Sequence, residues 1–567
     1  MSDHAIPFGR KVRGYGLALV LGVSPWFPAL AQPLNPLLIP PTVDEDTIDL
    51  LIDQHVVQFY PGLHTGTYGV NAPYLGPTLI LHHGDTAHLR VVNLLDTEMT
   101  SLHWHGLQLP GEMDGGPPRE VMPGDTWNVK FKVKNPAGTF WYHPHPHGHT
   151  AEQVQFGIAG MIILRDSAEA ALDLPRTYGV DDIPLVLQDR RFDENGQFVF
   201  GPYGDSVLVN GTPHPYMELP AQVVRLRLLN GSNARVYQVG FDDDRSFSII
   251  GNDGGLLEEP IPVDRVRLSN GERSEVLVDL SGMEGDSLML MGFGSELTET
   301  MPGGSLILNE PSYLNAIDFP LLRIRVGPPT DDPVTSFPSS LVTLTPPDIA
   351  DVTRTRHKAI DGFGTAGTGL FTFDGDTFNM DVVNDTVPLG TTEIWYVLNA
   401  TDIAKPFHIH GGSFFLLDRD GQQPHPWEQG WKDVVLVDMG EQVRFIMRFD
   451  ERTDGWPFMY HCHNLMHEDL MLMLQYITED PSTNVAAVPT TSEVRVFPSP
   501  TVDRLQFRSG SPVDRVVVQD VLGREVMAAN MRGASQGSLD VATLPSGMYH
   551  VLLRSHGVVL RGSFVKE

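Results

Sequence analysis

Cysteine is almost missing from this chain. Its 567 residues include one, Cys462, so no intrachain disulfide can form. Basic residues are scarce too: 39 Lys+Arg stand against 71 Asp+Glu, and the formal charge of −32 argues against nucleic acid or an anionic membrane as partner. No apolar run reaches the roughly 18 residues of a membrane span, so no span is expected. A sustained helical period is also lacking. The length allows about four domains at roughly 150 residues each, enough to bury several cores without staples.

What is present begins with a leader. Arg10, Lys11 and Arg13 precede an apolar stretch, Leu17 to Val23, and Ala29-Leu30-Ala31 offers a small-residue cleavage site. Residues 1–31 therefore read as a signal peptide, with Gln32 opening the mature chain. Export places the protein where disulfides are common, so an unpaired cysteine there needs another role, and metal ligation is one.

Beyond a proline-rich linker, Pro33 to Pro41, the pattern is β. Thr126 to Lys134 alternates apolar and polar residues as a half-buried strand does, and Val223–Leu229, Glu393–Leu398 and Gln442–Phe449 read as strands too. One phrase recurs: a turn, a strand and a terminal Asn. It appears as Gly84-Asp85-Thr86 leading to Asn93, Pro220-Ala221-Gln222 leading to Asn230, and Gly390-Thr391-Thr392 leading to Asn399. Three copies of one sandwich are expected, at 42–170, 180–328 and 340–482.

The chemistry lies in four His-x-His pairs: His103/His105, His143/His145, His408/His410 and His461/His463. In a strand, successive side chains point to opposite faces, so both imidazoles of a pair share one face. Four pairs can supply eight ligands to one compact site. Cys462, between His461 and His463, faces the other way, so one strand could bind metal on both faces. A thiolate with imidazoles suits copper or zinc.

These residues closely resemble the multicopper oxidase family, which includes laccases, bilirubin oxidases and cuprous oxidases. The resemblance covers about residues 45 to 480. It implies an all-β chain of three cupredoxin-like Greek-key β-sandwiches, with a trinuclear copper cluster between the first and third. His103 and His408 would hold the type 2 copper, and His105, His143, His145, His410, His461 and His463 the type 3 pair. Cys462 and His467 would belong to a type 1 copper that takes single electrons from a small reducing substrate. Dioxygen, reduced to water, would be the acceptor. Asp114 and Glu468 match the family's proton-relay positions. His147 and His149 fall outside its ligand positions and read as loop histidines without a partner.

One position departs from the pattern. The third motif normally reads His-Pro-x-His-x-His, and its first residue here is Lys405, a poor ligand while protonated. The axial position is Leu472, and the flanking Met471 and Met473 would face away from the type 1 site. The expected function is a copper-dependent oxidase acting on phenols, pigments or cuprous ion, with an impaired type 1 site. The alternatives are a copper-binding or scaffold protein with little turnover, and a surface protein with vestigial histidines.

The tail carries Val496-Phe497-Pro498-Ser499-Pro500, Asp520-Val521-Leu522-Gly523-Arg524 and Leu544-Pro545-Ser546-Gly547-Met548-Tyr549. From the residues alone it is a separate small β-sandwich, at 490–567. These phrases resemble the C-terminal sorting domains of type IX secretion cargo. That resemblance implies the secretion machinery as a partner and passage through the periplasm to the exterior or cell surface.

Overall fold

A computed structural model describes residues 34–306, 310–480, 495–520, 524–555 and 558–567. The leader lies outside the described residues. The chain divides into two compact units, up to Asp480 and from Pro481 onward.

The larger unit holds three pairs of sheets, each pair closed around its own apolar core. The recurring phrase marks the same place in all three. Thr86–Asn93 pairs in parallel with Ile48–Val57 and antiparallel with Thr126–Lys132. Val223–Asn230 pairs likewise with Asp182–Arg190 and Arg273–Asp279. Thr392–Asn399 does so with Val352–Gly364 and Gln442–Arg448.

The terminal Asn of each copy explains its recurrence. Asn93 donates to the carbonyls of Glu98 and Val121 and accepts from the Leu95 amide. Asn230 donates to Arg235 and Leu268 and accepts from Ser232. Asn399 donates to Ile403 and Val437 and accepts from Thr401. All three are fully buried, where an unpaired amide would be costly, and each is satisfied by this local lock.

Sheet register brings the histidine pairs together. His103–His105 pairs with Gly138–His143, setting His103 directly opposite His143. Lys405–Ile409 pairs with Phe458–Cys462, setting His408 opposite His461 and Phe407 opposite Cys462. His145, His410 and His463 lie just beyond the ends of these strands. The second sandwich contributes no histidine pair.

The smaller unit is built from the strands Arg495–Phe497, Arg504–Asp520, Glu525–Asp540, Gly547–Ser555 and Val558–Lys566. Leu505, Phe507, Val516, Val518, Tyr549, Val551 and Phe564 form its separate core. Two of the sequence phrases have local causes. Arg524 donates through its amide and Nε to the Asp520 carboxylate beside the ends of two paired strands, and the Tyr549 hydroxyl donates to the Pro545 carbonyl at 2.8 Å. Among the described residues, no helix is long and apolar enough to cross a membrane.

Candidate metal centre

All eight paired histidines converge in one buried site, none more than 2% exposed. All but His463, whose Nδ1 has no hydrogen-bond partner, turn the far ring nitrogen to a protein acceptor, which selects the tautomer. His103 Nδ1 donates to the Asp114 carbonyl at 2.9 Å, His408 Nδ1 to the Asp433 carbonyl at 2.7 Å, and His143 Nδ1 to the Pro144 carbonyl at 2.8 Å. His410 Nδ1 donates to Asp114 Oδ2 at 2.8 Å. His145 and His461 turn their Nδ1 atoms to the two oxygens of Glu468, at 3.3 and 3.2 Å. His105 is reversed: its Nε2 donates to Asp433 Oδ1 at 3.0 Å, leaving Nδ1 to face inward.

The inward nitrogens fall into groups of three, three and two. His105 Nδ1 lies 3.4 Å from His143 Nε2 and 3.2 Å from His463 Nε2. His461 Nε2 lies 3.4 Å from His145 Nε2 and 3.2 Å from His410 Nε2. His103 Nε2 and His408 Nε2 are buried with no hydrogen-bond partner. Where the far nitrogen is protonated, the inward one carries a bare lone pair, and such lone pairs facing each other in a dry site repel unless cations lie between them. Burial first, and neighbouring imidazoles after it, hold His105, His408 and His410 well below the ordinary histidine range. Neutral imidazole is the ligating form.

The site therefore fits a cluster of metal ions, and an all-nitrogen imidazole set suits copper. Zinc fits less well, since its structural sites are closed by four ligands.

Asp433 and Arg273 escaped sequence reasoning. Arg273, from the second sandwich, donates to both Asp433 oxygens at 2.7 and 2.6 Å, and both residues are fully buried. Asp433 in turn orients His105 through its carboxylate and His408 through its carbonyl. Gly106, at φ 85°, leaves room for this pair: a Cβ there would collide with Asp433 Oδ2. A His-x-His-Gly phrase hints at the glycine, but no spacing announces the Asp–Arg clamp.

The opposite face of the Cys462 strand is different. Cys462 Sγ lies 3.7 Å from His467 Nδ1 in an apolar core that includes Leu472 and Phe407. His467 Nε2 donates to the Thr365 carbonyl at 2.8 Å, so its lone pair is on Nδ1. Lys405 Nζ occupies that side, 3.2 Å from His467 Nδ1 and 3.2 Å above the Phe371 ring. Burial pulls the Lys405 ammonium down to about 7 and pushes the Cys462 thiol up to about 11, each shift opposed by the other group. Thiol and amine are thus both driven toward their neutral forms. The lone pair that a type 1 copper would need from His467 is already engaged. These residues do not fit a type 1 copper of the two-histidine, one-cysteine kind.

Neither loop histidine is without a partner. His147 Nε2 contacts Met471 Sδ at 3.2 Å, and His149 Nδ1 lies 3.4 Å from Glu152. Their partners lie across the fold or along a short helix, where spacing alone does not reveal them.

Two family models described as multicopper oxidase match residues 52–169 and 342–482. The multicopper oxidase mco of Staphylococcus haemolyticus is 32% identical over 433 residues, covering 74% of this chain and 85% of that protein. The chain belongs to the multicopper oxidase family. Its relatives also include the cell division protein FtsP of Photorhabdus laumondii, 34% identical over 83% of this chain and 98% of that protein. Among solved structures, the laccase-like multicopper oxidase CueO from Ochrobactrum sp. superposes with a TM-score of 0.70 at 35% identity, covering 78% of this chain and all of that one. A multicopper oxidase from Pediococcus acidilactici gives 0.71 at 33% identity, covering 80% and 93%. The three sandwiches are thus cupredoxin-like, and copper is the family's metal. A model described as a secretion system C-terminal sorting domain matches residues 495–567.

Proposed function

We propose that this multicopper oxidase reduces dioxygen to water at a trinuclear copper cluster, with His103 and His408 as type 2 ligands. His105, His143, His145, His410, His461 and His463 are the type 3 ligands. Electrons come from a small reducing substrate, such as a phenol, a pigment or cuprous ion. The observation that carries this reading is the inward convergence of eight buried imidazoles, most of them with the far ring nitrogen turned to a protein acceptor. Copper bound there supplies the four-electron chemistry.

The chain's own acids handle protons. Glu468 touches His145 and His461, and Asp114 touches His410 and, through its carbonyl, His103. Burial would raise the Glu468 carboxyl, but the imidazoles of His145 and His461 outweigh it and hold the group below the usual carboxylate range. Its place between two of the cluster's imidazoles is what suits it to pass protons inward as a general acid–base group. Glu468→Gln is expected to slow oxygen uptake roughly 10²–10⁴-fold, the usual worth of a general acid–base group. Copper content should stay unchanged. An oxygen electrode and metal analysis on the same sample check this, and full activity in the variant would remove Glu468 from the proton path.

Lys405 favours a second reading, a copper-binding protein with little turnover, because it engages the imidazole that would hold a type 1 copper. The FtsP relatives show that chains this similar also carry a cell-division name. Oxygen uptake with a phenolic or cuprous reductant separates the two readings.

The tail serves export through the secretion machinery to the exterior or cell surface, consistent with its sorting-domain match and separate core. Truncation after Asp480 should leave copper binding and melting of the larger unit unchanged while stopping export from a host with that machinery. Loss of copper on truncation would show that the tail supports the metal site.

A further inference from the structure

A second cluster of soft donors lies beside the histidine site, and the family assignment leaves it unused. His147 Nε2 and Met471 Sδ are 3.2 Å apart, one from the loop after His145 and the other from the chain between Glu468 and the strand Met473–Glu479. Both are half-buried and so reachable from solvent. The Phe378 ring closes one side, its centroid 5.3 Å from that of His147. Behind Met471, Phe378 packs with Met459 and Met473, which are buried.

Two members of this cluster adjoin the histidine site through the backbone and the sheet. Met473 is the cross-strand partner of His461, so the two share a sheet face. The Met459 carbonyl accepts from the His410 amide at 2.9 Å.

Met471 adopts φ 75°, in the left-handed region where a side chain costs roughly 1–2 kcal/mol and glycine would be free of that cost. A methionine held there despite the strain places its sulfur on His147. Imidazole and thioether are neutral donors without a proton to lose, a pairing that suits a soft d¹⁰ cation and rejects magnesium or calcium.

We propose that His147 and Met471 bind one cuprous ion at the outer end of this methionine cluster, separately from the eight-histidine site. The assignment does not depend on oxidase activity, because it concerns binding alone.

Silver(I), a redox-silent soft d¹⁰ ion, tests it on the full-length protein. Under oxygen-free conditions, native mass spectrometry should show one more bound silver ion in the unmodified chain than in Met471→Leu or His147→Gln. In protein labelled at methionine methyl groups, the Met471 resonance, identified by its loss in Met471→Leu, should shift with substoichiometric silver. Met471→Gly guards against misfolding: it should melt higher than the parent, because the strain is gone, yet bind one silver ion fewer. Equal silver counts in all four proteins, or a Met471 resonance that stays still, would overturn the site and leave an ordinary N–H···S contact.

Discussion

Copper-loaded Lys405→His should turn blue and oxidise phenols faster than the unmodified protein. The gain should at least match the roughly 10–100-fold that outer-sphere partners of a metal contribute. In the unmodified chain, Lys405 Nζ sits on the lone pair of His467 Nδ1, and Leu472 supplies no axial donor. A histidine at 405 would free His467 and add a second imidazole beside Cys462, completing the donor set that gives intense blue absorption. Lys405→Leu provides the contrast, since it frees His467 without adding any donor and should stay colourless. An unmodified protein already deep blue and fast would mean that neutral Lys405, or another residue, completes the site.

Asp433→Ala should be among the most destabilising single changes in the larger unit. It leaves the buried Arg273 guanidinium with Asp253, at 3.8 Å, in place of its two-point carboxylate partner, where breaking a buried pair typically costs up to about 3–5 kcal/mol. It also releases His105 from its reversed tautomer, so copper affinity should fall roughly 10–100-fold. Replacing both partners, Asp433→Ala with Arg273→Met, removes the stranded charge. That double variant should melt above Asp433→Ala alone while still binding copper weakly. Thermal melts and metal analysis on the three proteins check both halves, and a double variant no more stable than the single one would show that the buried charge is not the cause.

The strand alternation and the terminal Asn were legible because both are local. Two of each amide's partners lie within five residues of it and the third 28 or 38 residues on, so the phrase recurs wherever that corner is built. The His-x-His pairs were legible for the same reason, since the pleat alone puts two imidazoles on one face. The Arg273–Asp433 clamp spans 160 residues and the His147–Met471 contact 324, and neither carries a periodic signal. Lys405 was conspicuous only as a break in a motif. That its Nζ would settle on His467 rather than swing aside required the surrounding core, where Phe371 backs the amine and Thr365 fixes the imidazole.

The proposed trinuclear copper cluster, beside a type 1 position held by Lys405, has a direct spectroscopic readout. Copper counting and paramagnetic resonance on the unmodified, copper-loaded protein test it most directly. About three ions per chain, a type 2 signal and no intense blue absorption are expected, as befits an all-imidazole cluster without a completed thiolate site. Zinc alone, a stoichiometry near one, or a strong blue type 1 signal would contradict it.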